Sequence, residues 1–357
     1  MDIYFLPRDE LKDFIEILRE TGKVFWNIER ELPTNLKNIK TNRIEELDEE
    51  YIREYQVPGF RAYETFKPFL IPPNFKVAEY PDKDWQEIKK IKQKTVLLGL
   101  KGCDLASFSI LDKVFIEDPD FVDPFYKRRR ESIVTISSDC TEFKDSCFCN
   151  LLGDTPYAKD GFDLNISVIS DGFLLESGSP IGEEIVSELS LSGATTKQIS
   201  DRDKRREKVL KDLEEQNSKF AKAFKELSII ASKGYDSTEG WSLGSTCVSC
   251  GACTNVCPVC YCFTLFDRLD KKGEKSKRFM VWDSCQHKGF SQMAGGLNPR
   301  FPLMERFKNR YYHKFFRFYE RYGVYKCTGC GRCIDDCLGE IDMREVLAGV
   351  KLGEAVK

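Results

Sequence analysis

The chain has 357 residues, 41% of them apolar, enough to bury one large core or two smaller ones. Its 55 basic and 58 acidic residues leave a net charge of −3, so the bulk balance gives no case for binding nucleic acid or an anionic membrane. Fifteen cysteines are far more than usual, while Met1-Asp2-Ile3-Tyr4 lacks the basic and apolar segments of an export signal. No apolar run approaches the length of a membrane span. Together these features predict a metal-binding protein of a reducing cytoplasm, in an anaerobic cell, rather than a disulfide-stapled one.

Asp9 is placed to cap a first helix in which Leu11, Phe14, Ile15 and Leu18 share a face. Residues 30–90 carry six prolines, at 33, 58, 68, 72, 73 and 81, and read as loops and short strands. Thr95 to Leu100 is a short apolar run expected to be a buried strand. Cys103 follows it, then Asp104 as N-cap of a helix marked by Leu105, Phe108, Leu111 and Phe115. Glu131 to Ser137 is a second β-rich run, followed in the same way by Cys140. Strand, loop, helix, strand describes a parallel α/β unit, whose functional loops gather at the carboxyl ends of the strands. Leu164, Ile166 and Val168 alternate, Asp171-Gly172 supplies a hairpin turn, and Phe173 and Leu175 resume the alternation. These elements predict a mixed α/β domain over residues 1–180. Residues 181–240 read as a charged helical connector. Along it Leu210, Leu213, Asn217, Phe220, Phe224 and Leu227 recur with a heptad-like period, a face that packs on its own chain more often than on a partner helix.

Residues 241–357 hold the strongest signals. Cys247, Cys250, Cys253 and Cys257 follow C-x2-C-x2-C-x3-C, and so do Cys327, Cys330, Cys333 and Cys337. This spacing binds cubane iron–sulfur clusters. Three thiolates face one cube from a loop turned by Gly251 or Gly331, and the fourth reaches the other cube. One [4Fe–4S] cluster is therefore assigned to Cys247, Cys250, Cys253 and Cys337, and the second to Cys327, Cys330, Cys333 and Cys257. Two zinc knuckles are the competing reading, but zinc prefers paired C-x2-C hooks, which leaves the repeated third cysteine without a role. The 69 residues between the runs (258–326) far exceed the link in a minimal ferredoxin. Within them Met304, Phe307, Tyr311, Phe315, Phe318 and Tyr322 recur every three or four residues, which predicts a helix. The expected fold class is therefore α+β: a mixed α/β domain followed by an α-helical ferredoxin-type dicluster domain with a helical insert.

Cys103, Cys140, Cys147 and Cys149 add four thiols in the N-terminal domain. If the two apolar strands are parallel neighbours, Cys103 and Cys140 share one sheet edge, and Cys147 and Cys149 follow within a short loop. A third iron–sulfur cluster, a zinc site and plain burial as small apolar groups are all open to such a set. Cys260 and Cys262 are placed either to tune a cluster through hydrogen bonds or, more commonly, to pack, and Cys285 reads as structural. No G-x-G-x-x-G, P-loop or G-x-S-x-G elbow is present, and the two histidines, His287 and His313, form no acid–base constellation. The stretch from Arg300 to Arg321 carries Arg306, Lys308, Arg310, Lys314 and Arg317 among its aromatics. The flanking cysteine runs favour these cations as a counterweight to cluster charge, or as a dock for an acidic partner, over RNA binding.

Several words of the sequence carry a resemblance. They are Gly102-Cys103-Asp104-Leu105, Leu111 to Phe115, Arg128 to Glu131, Cys147-Phe148-Cys149 and Asp163-Leu164. Further on come Cys257 to Cys262, Trp282 to Cys285, Asn298 to Arg300 and His313 to Phe315. In this order they resemble the beta subunit of cytoplasmic sulfhydrogenases and its iron–sulfur counterpart in anaerobic sulfite reductase. Leu338 stands where the second run of that family usually has proline. The resemblance implies an electron-transfer subunit in a hetero-oligomer, between a flavoprotein reductase and a catalytic subunit. The latter is a nickel–iron hydrogenase in one case and a sirohaem sulfite reductase in the other. It also implies cluster ligands at Cys103, Cys140, Cys147 and Cys149. An alternative of the same origin is a subunit of a heterodisulfide-reductase-like complex; a separate alternative, read from the cysteines themselves, is a cluster at Cys103, Cys140, Cys147 and Cys149 that itself handles a sulfur substrate.

Overall fold

The computed structural model describes residues 2–31, 40–47, 57–81, 93–236 and 240–350. Its strands are β1 (Ile3–Pro7), β2 (Gly22–Glu31), β3 (Lys40–Glu46), β4 (Asn74–Tyr80), β5 (Lys94–Leu100) and β6 (Ile133–Ser138), then β7 (Leu164–Val168), β8 (Gly172–Ser177), β9 (Ser192–Gly193), β10 (Phe263–Leu269) and β11 (Ser276–Trp282). Its α-helices are α1 (Leu11–Thr21), α2 (Lys67–Leu70), α3 (Gly102–Phe115), α4 (Pro124–Glu131), α5 (Pro180–Ser187), α6 (Thr196–Asn217) and α7 (Ala221–Lys225). They continue with α8 (Leu227–Lys233), α9 (Ala252–Asn255), α10 (Leu303–Tyr312), α11 (Phe318–Tyr322), α12 (Arg332–Asp335) and α13 (Met343–Gly349). The chain divides into two units, Met1–Phe66 with Lys90–Gln216, and Lys67–Lys89 with Asn217–Lys357.

The first unit is an eight-stranded sheet in the order β3-β2-β5-β6-β7-β8-β1-β9. β2, β5, β6 and β7 run parallel, and antiparallel pairing extends the sheet on both sides. Alternate strand residues, among them Val96, Leu98, Val134, Ile136, Leu164 and Ile166, pack with Phe14, Ile15 and Leu18 of α1 and Ile185 and Val186 of α5. The predicted apolar face of α1 is therefore the buried one. Its N-cap is Glu10, at the end of a 3-10 turn, so Asp9 does not cap it.

The opposite face of β6 and β7 is polar yet buried, through Thr135, Ser137, Asn165 and Ser167. Buried polar groups need partners, and here they form a network. Ser137 Oγ donates to Asn165 Oδ1 at 2.7 Å and Asn165 Nδ2 to Asp139 Oδ1 at 3.1 Å. Arg206 of α6 grips Asp139 at 2.7 and 3.1 Å and Ser167 at 3.2 Å. Asp163 ties the same region together, accepting from Thr135 N at 2.7 Å and from the helix-capping Ser179 Oγ at 2.6 Å. Tyr126 of α4 stacks on Phe115 and donates to Asp112 Oδ1 at 2.7 Å, while Arg130 pairs with Asp112 at 3.1 Å.

The stretch expected as a connector is divided between the units, the boundary falling at the end of α6. Its heptad-like face is buried at Leu213, Asn217, Phe220, Phe224 and Leu227. A 3-10 turn at Ser218–Phe220 breaks the helix. Arg344 of α13 donates to Asn217 Oδ1 at 3.0 Å and lies over the Phe220 ring, both within the second unit. Of residues 30–90, the described part holds β3, α2 and β4, while 32–39, 48–56 and 82–92 lie outside the described residues.

In the second unit, the insert between the cysteine runs is not wholly helical. A hairpin, β10/β11, precedes the predicted helix and pairs with β4 in an antiparallel sheet. The helix is present as α10 and α11, joined through a π-helical turn at His313–Arg317. Trp241 meets Phe307 and Tyr311 edge-on and donates from Nε1 to Gly234 O at 2.7 Å.

Candidate metal centres

The two cysteine runs fold alike, 80 positions apart. Gly251 and Gly331 precede α9 and α12 with φ of 75° and 74°, and Ser249 and Gly329, two residues earlier, have φ of 57° and 61°. Left-handed backbone of this kind favours glycine. At Gly251 a side chain is excluded twice, because a Cβ would sit 2.7 Å from His287 Nε2. The turns after the fourth cysteines match too. Cys260 N donates to Cys257 O at 3.3 Å, and Glu340 N to Cys337 O at 2.9 Å.

α9 packs on α12, which brings the runs together. Cys257 lies within electrostatic reach of Cys327 and Cys333, and Cys330 of Cys333. Cys247 is near Cys253 in the same sense, and Tyr311 lies among Cys253, Cys333 and Cys337. Thr246 Oγ1 donates to Gly339 O at 2.8 Å, tying the chain just after Cys337 to the residue before Cys247. Cys250 is exposed on its loop.

Buried cations surround these thiols. Arg306, Arg310 and Lys314 lie four residues apart along α10 and the π-helical turn, and all are buried. Arg306 donates to Gln286 O at 2.9 Å and to Ser249 Oγ at 3.1 Å. Arg310 donates to Cys253 O at 3.3 Å, and its Nε is buried without a hydrogen-bond partner in the protein. Lys314 Nζ donates to Cys257 Sγ at 3.3 Å and to Lys326 O at 2.7 Å. Burial opposes its charge, but Cys257, Cys260 and Cys327 more than offset that and raise its pKa. Arg317 and Arg321 of the predicted basic stretch are exposed instead.

Two cations at the site gave no signal in the sequence. Lys67 of α2 donates to Thr254 O, Asn255 O and Cys260 O at 3.3, 3.0 and 3.0 Å, and its Nζ lies 3.9 Å from the Trp282 ring centre. It thereby satisfies carbonyls that the end of α9 leaves open. Lys326 Nζ lies 3.3 Å from the Tyr261 ring centre, and burial lowers its pKa to about 8. Nothing in local spacing marks a lysine some 190 residues from its acceptors.

The residues fit iron–sulfur clusters. Burial pushes Cys253 and Cys327 up to about 12, so as free thiols they stay neutral, and bound iron supplies the charge that draws off their protons. Arg310 Nε and Thr328 Oγ1 are buried beside the runs and aimed at no protein acceptor. Among the described residues no three His, Cys, Asp or Glu side chains converge tightly enough for a single metal ion. That holds for the C-terminal runs and the N-terminal cysteines alike.

The two strands that precede Cys103 and Cys140 are arranged as the parallel-strand reading predicted. β5 and β6 are parallel neighbours, so Cys103 and Cys140 leave the same sheet edge. The helix begins three residues earlier than expected, at Gly102 with Lys101 as its N-cap, so Cys103 lies within it. Asp104 is therefore inside the first turn, its Oδ2 accepting from Lys101 N at 3.1 Å. Cys140, Cys147 and Cys149 lie within one another's electrostatic reach, and Lys101 feels both Cys140 and Cys103. Lys101 is fully buried, donating to Pro58 O at 2.6 Å, Ser138 Oγ at 2.8 Å and Asp139 O at 3.0 Å. Burial pushes Cys140 up to about 12.

The remaining cysteines form contacts that the sequence did not disclose. Cys260 is hydrogen-bonded with Cys257, and Cys285 has a partner after all, the Cys262 thiol. The hairpin explains the second pair, since its open end carries both residues. A signal for that hairpin was available: Asp270 to Gly273 separates two runs rich in Phe, Leu, Val and Trp. His287 Nδ1 pairs with Asp283 at 2.8 Å, and burial lowers the pKa of His313 to about 3.

The family described as a 4Fe-4S dicluster domain matches residues 246–341. The chain is similar to sulfhydrogenase 2 subunit beta of Pyrococcus furiosus, at 31% identity over 354 residues, covering 98% of each chain. No solved structure matches. Among the described residues no helix is long and apolar enough to cross a membrane.

Proposed function

The chain belongs to the family of sulfhydrogenase beta subunits, and from that premise we propose that it is the iron–sulfur electron-transfer subunit of a larger oxidoreductase complex. The observation that supports this reading most is that Cys257 of the first run lies within electrostatic reach of Cys327 and Cys333 of the second. One [4Fe–4S] cluster is then held by Cys247, Cys250, Cys253 and Cys337, and the other by Cys327, Cys330, Cys333 and Cys257, in an α-helical ferredoxin arrangement. Each cluster, when bound, stores and passes single electrons. The protein's own part is to exclude water, to fix the thiolates on two matching turns, and to offset their negative charge with Arg310 and Lys314. Cys103, Cys140, Cys147 and Cys149 hold a third centre at the carboxyl edge of the parallel sheet.

The partners are two further subunits in the cytoplasm. One is a flavoprotein reductase, and the other is a catalytic redox subunit of nickel–iron hydrogenase or sirohaem sulfite reductase type. No substrate bond is made or broken in this chain. Anaerobic iron and sulfide analysis with EPR on the isolated chain tests the reading. Two cubanes give about eight irons and three about twelve. A chain that binds zinc in place of iron overturns the assignment, and hydrogen evolution or sulfite reduction by the isolated chain overturns the relay.

A further inference from the structure

Cys262 and Cys285 lie outside both cysteine runs and outside the N-terminal set. Cys262 immediately precedes β10, and Cys285 follows β11 at the same open end of the hairpin. The ladder pairs Phe263 with Trp282, and Asp283 N–H extends it to the Cys262 carbonyl at 2.9 Å. This closure brings the two thiols into hydrogen-bonding contact. Gln286 Nε2 donates to Cys285 Sγ at 3.5 Å and is itself anchored on Arg306 O at 3.0 Å. Both cysteines are partly exposed. Cysteines joined by a disulfide must be close with their side chains facing, and two thiols paired with each other at the open end of one hairpin are placed for that bond.

We propose that Cys262 and Cys285 are a redox-active dithiol that undergoes reversible exchange with small-molecule disulfides. Cys285 is the attacking thiol. The Cys262 hydrogen bond, the Gln286 amide at 3.5 Å and nearby Arg310 and Lys314 favour its thiolate against the effect of burial, and the thiolate is the nucleophilic form. Its sulfur attacks one sulfur of R–S–S–R, the S–S bond breaks, and the leaving thiolate takes a proton to become RSH. Cys262 then loses its proton, attacks the Cys285 sulfur of the mixed disulfide and expels the second RSH. Two cysteine thiols become one disulfide, the external disulfide becomes two thiols, and no electron from a cluster is needed. The exchange therefore stands apart from the cluster assignment.

The test uses the full chain with its native iron, handled anaerobically and treated with 2-hydroxyethyl disulfide. It is then alkylated, digested and mapped by mass spectrometry, with iron measured before and after. The expected result is a linked Cys262–Cys285 peptide that disappears on treatment with dithiothreitol, at unchanged iron. Cys262→Ser traps the mixed disulfide on Cys285, whereas Cys285→Ser leaves Cys262 fully open to alkylation. Persistent alkylation of both residues at saturating disulfide overturns the proposal. Loss of iron from either variant also overturns it, because the thiols are then metal ligands. A linked peptide from a chain that starts with less iron than two clusters need supports the dithiol and counts against the cluster reading alone.

Discussion

Lys314 is held between a thiol of one cysteine run and the carbonyl that precedes the other, since its Nζ meets both Cys257 Sγ and Lys326 O. It is 2% exposed. On the proposed assignment of Cys257 as a cluster ligand, a buried cation against its sulfur favours the state with one more electron, because low dielectric leaves the attraction poorly screened. Lys314→Met therefore lowers the potential of the centre that includes Cys257. A shift of about 60 mV or more is expected, which is a tenfold change in a one-electron equilibrium. An EPR-monitored redox titration checks it, and an unchanged potential at full iron content removes the role given to Lys314. The basic stretch made Lys314 a candidate, but helical periodicity gave it no more weight than Arg317 or Arg321. The choice among them came from the side of the helix that faces the cysteines.

Helix α6 was expected as part of a charged connector with one packed face. Yet Arg206 covers a buried polar face of the sheet and pairs with Asp139 at 2.7 Å and Glu176 at 3.4 Å. Removing one partner of such a pair leaves a buried charge uncompensated, at roughly 3–5 kcal/mol. Arg206→Met is accordingly expected to destabilise the first unit by about 3 kcal/mol or more in chemical denaturation. Iron bound at the two C-terminal runs should not change. The strands β5 and β6 were legible as apolar runs, and β7 and β8 as apolar alternation, because both patterns are local. The β10/β11 hairpin was passed over because the aromatic period that follows it drew the whole insert toward helix. The π-helical turn, which re-aims Lys314, leaves no trace in that period.

At the scale of the whole molecule, the two units differ in what holds them. The sheet unit has its own apolar core of strand and helix side chains. The cysteine region is built on α9 and α12, four residues each, too short to persist by helix propensity alone. Its buried cations face thiols rather than carboxylates. Iron bound there thus contributes folding free energy directly. Anaerobic chelation of iron is expected to raise amide exchange sharply at 247–257 and 327–337, while strands β5, β6 and β7 stay protected. Hydrogen exchange read by mass spectrometry measures both. Equal loss of protection in the sheet would show that its core does not stand without the metal.

The sequence by itself determined the spacing of the eight cysteines, the glycines that turn them, and the alternation and periodicity of the main strands and helices. All of these depend on residues a few positions apart, where backbone geometry fixes which side chains share a face. The tertiary structure decided the rest. It set Lys67 on the carbonyls of α9, selected Arg310 and Lys314 as the cations beside the thiols, buried a polar sheet face under Arg206, and joined Cys262 to Cys285. Each of these contacts links residues more than twenty positions apart. Such pairings come from chain reversal and packing of whole elements, and among them the Cys262–Cys285 pair alone had a local trace, in the turn at Asp270 to Gly273.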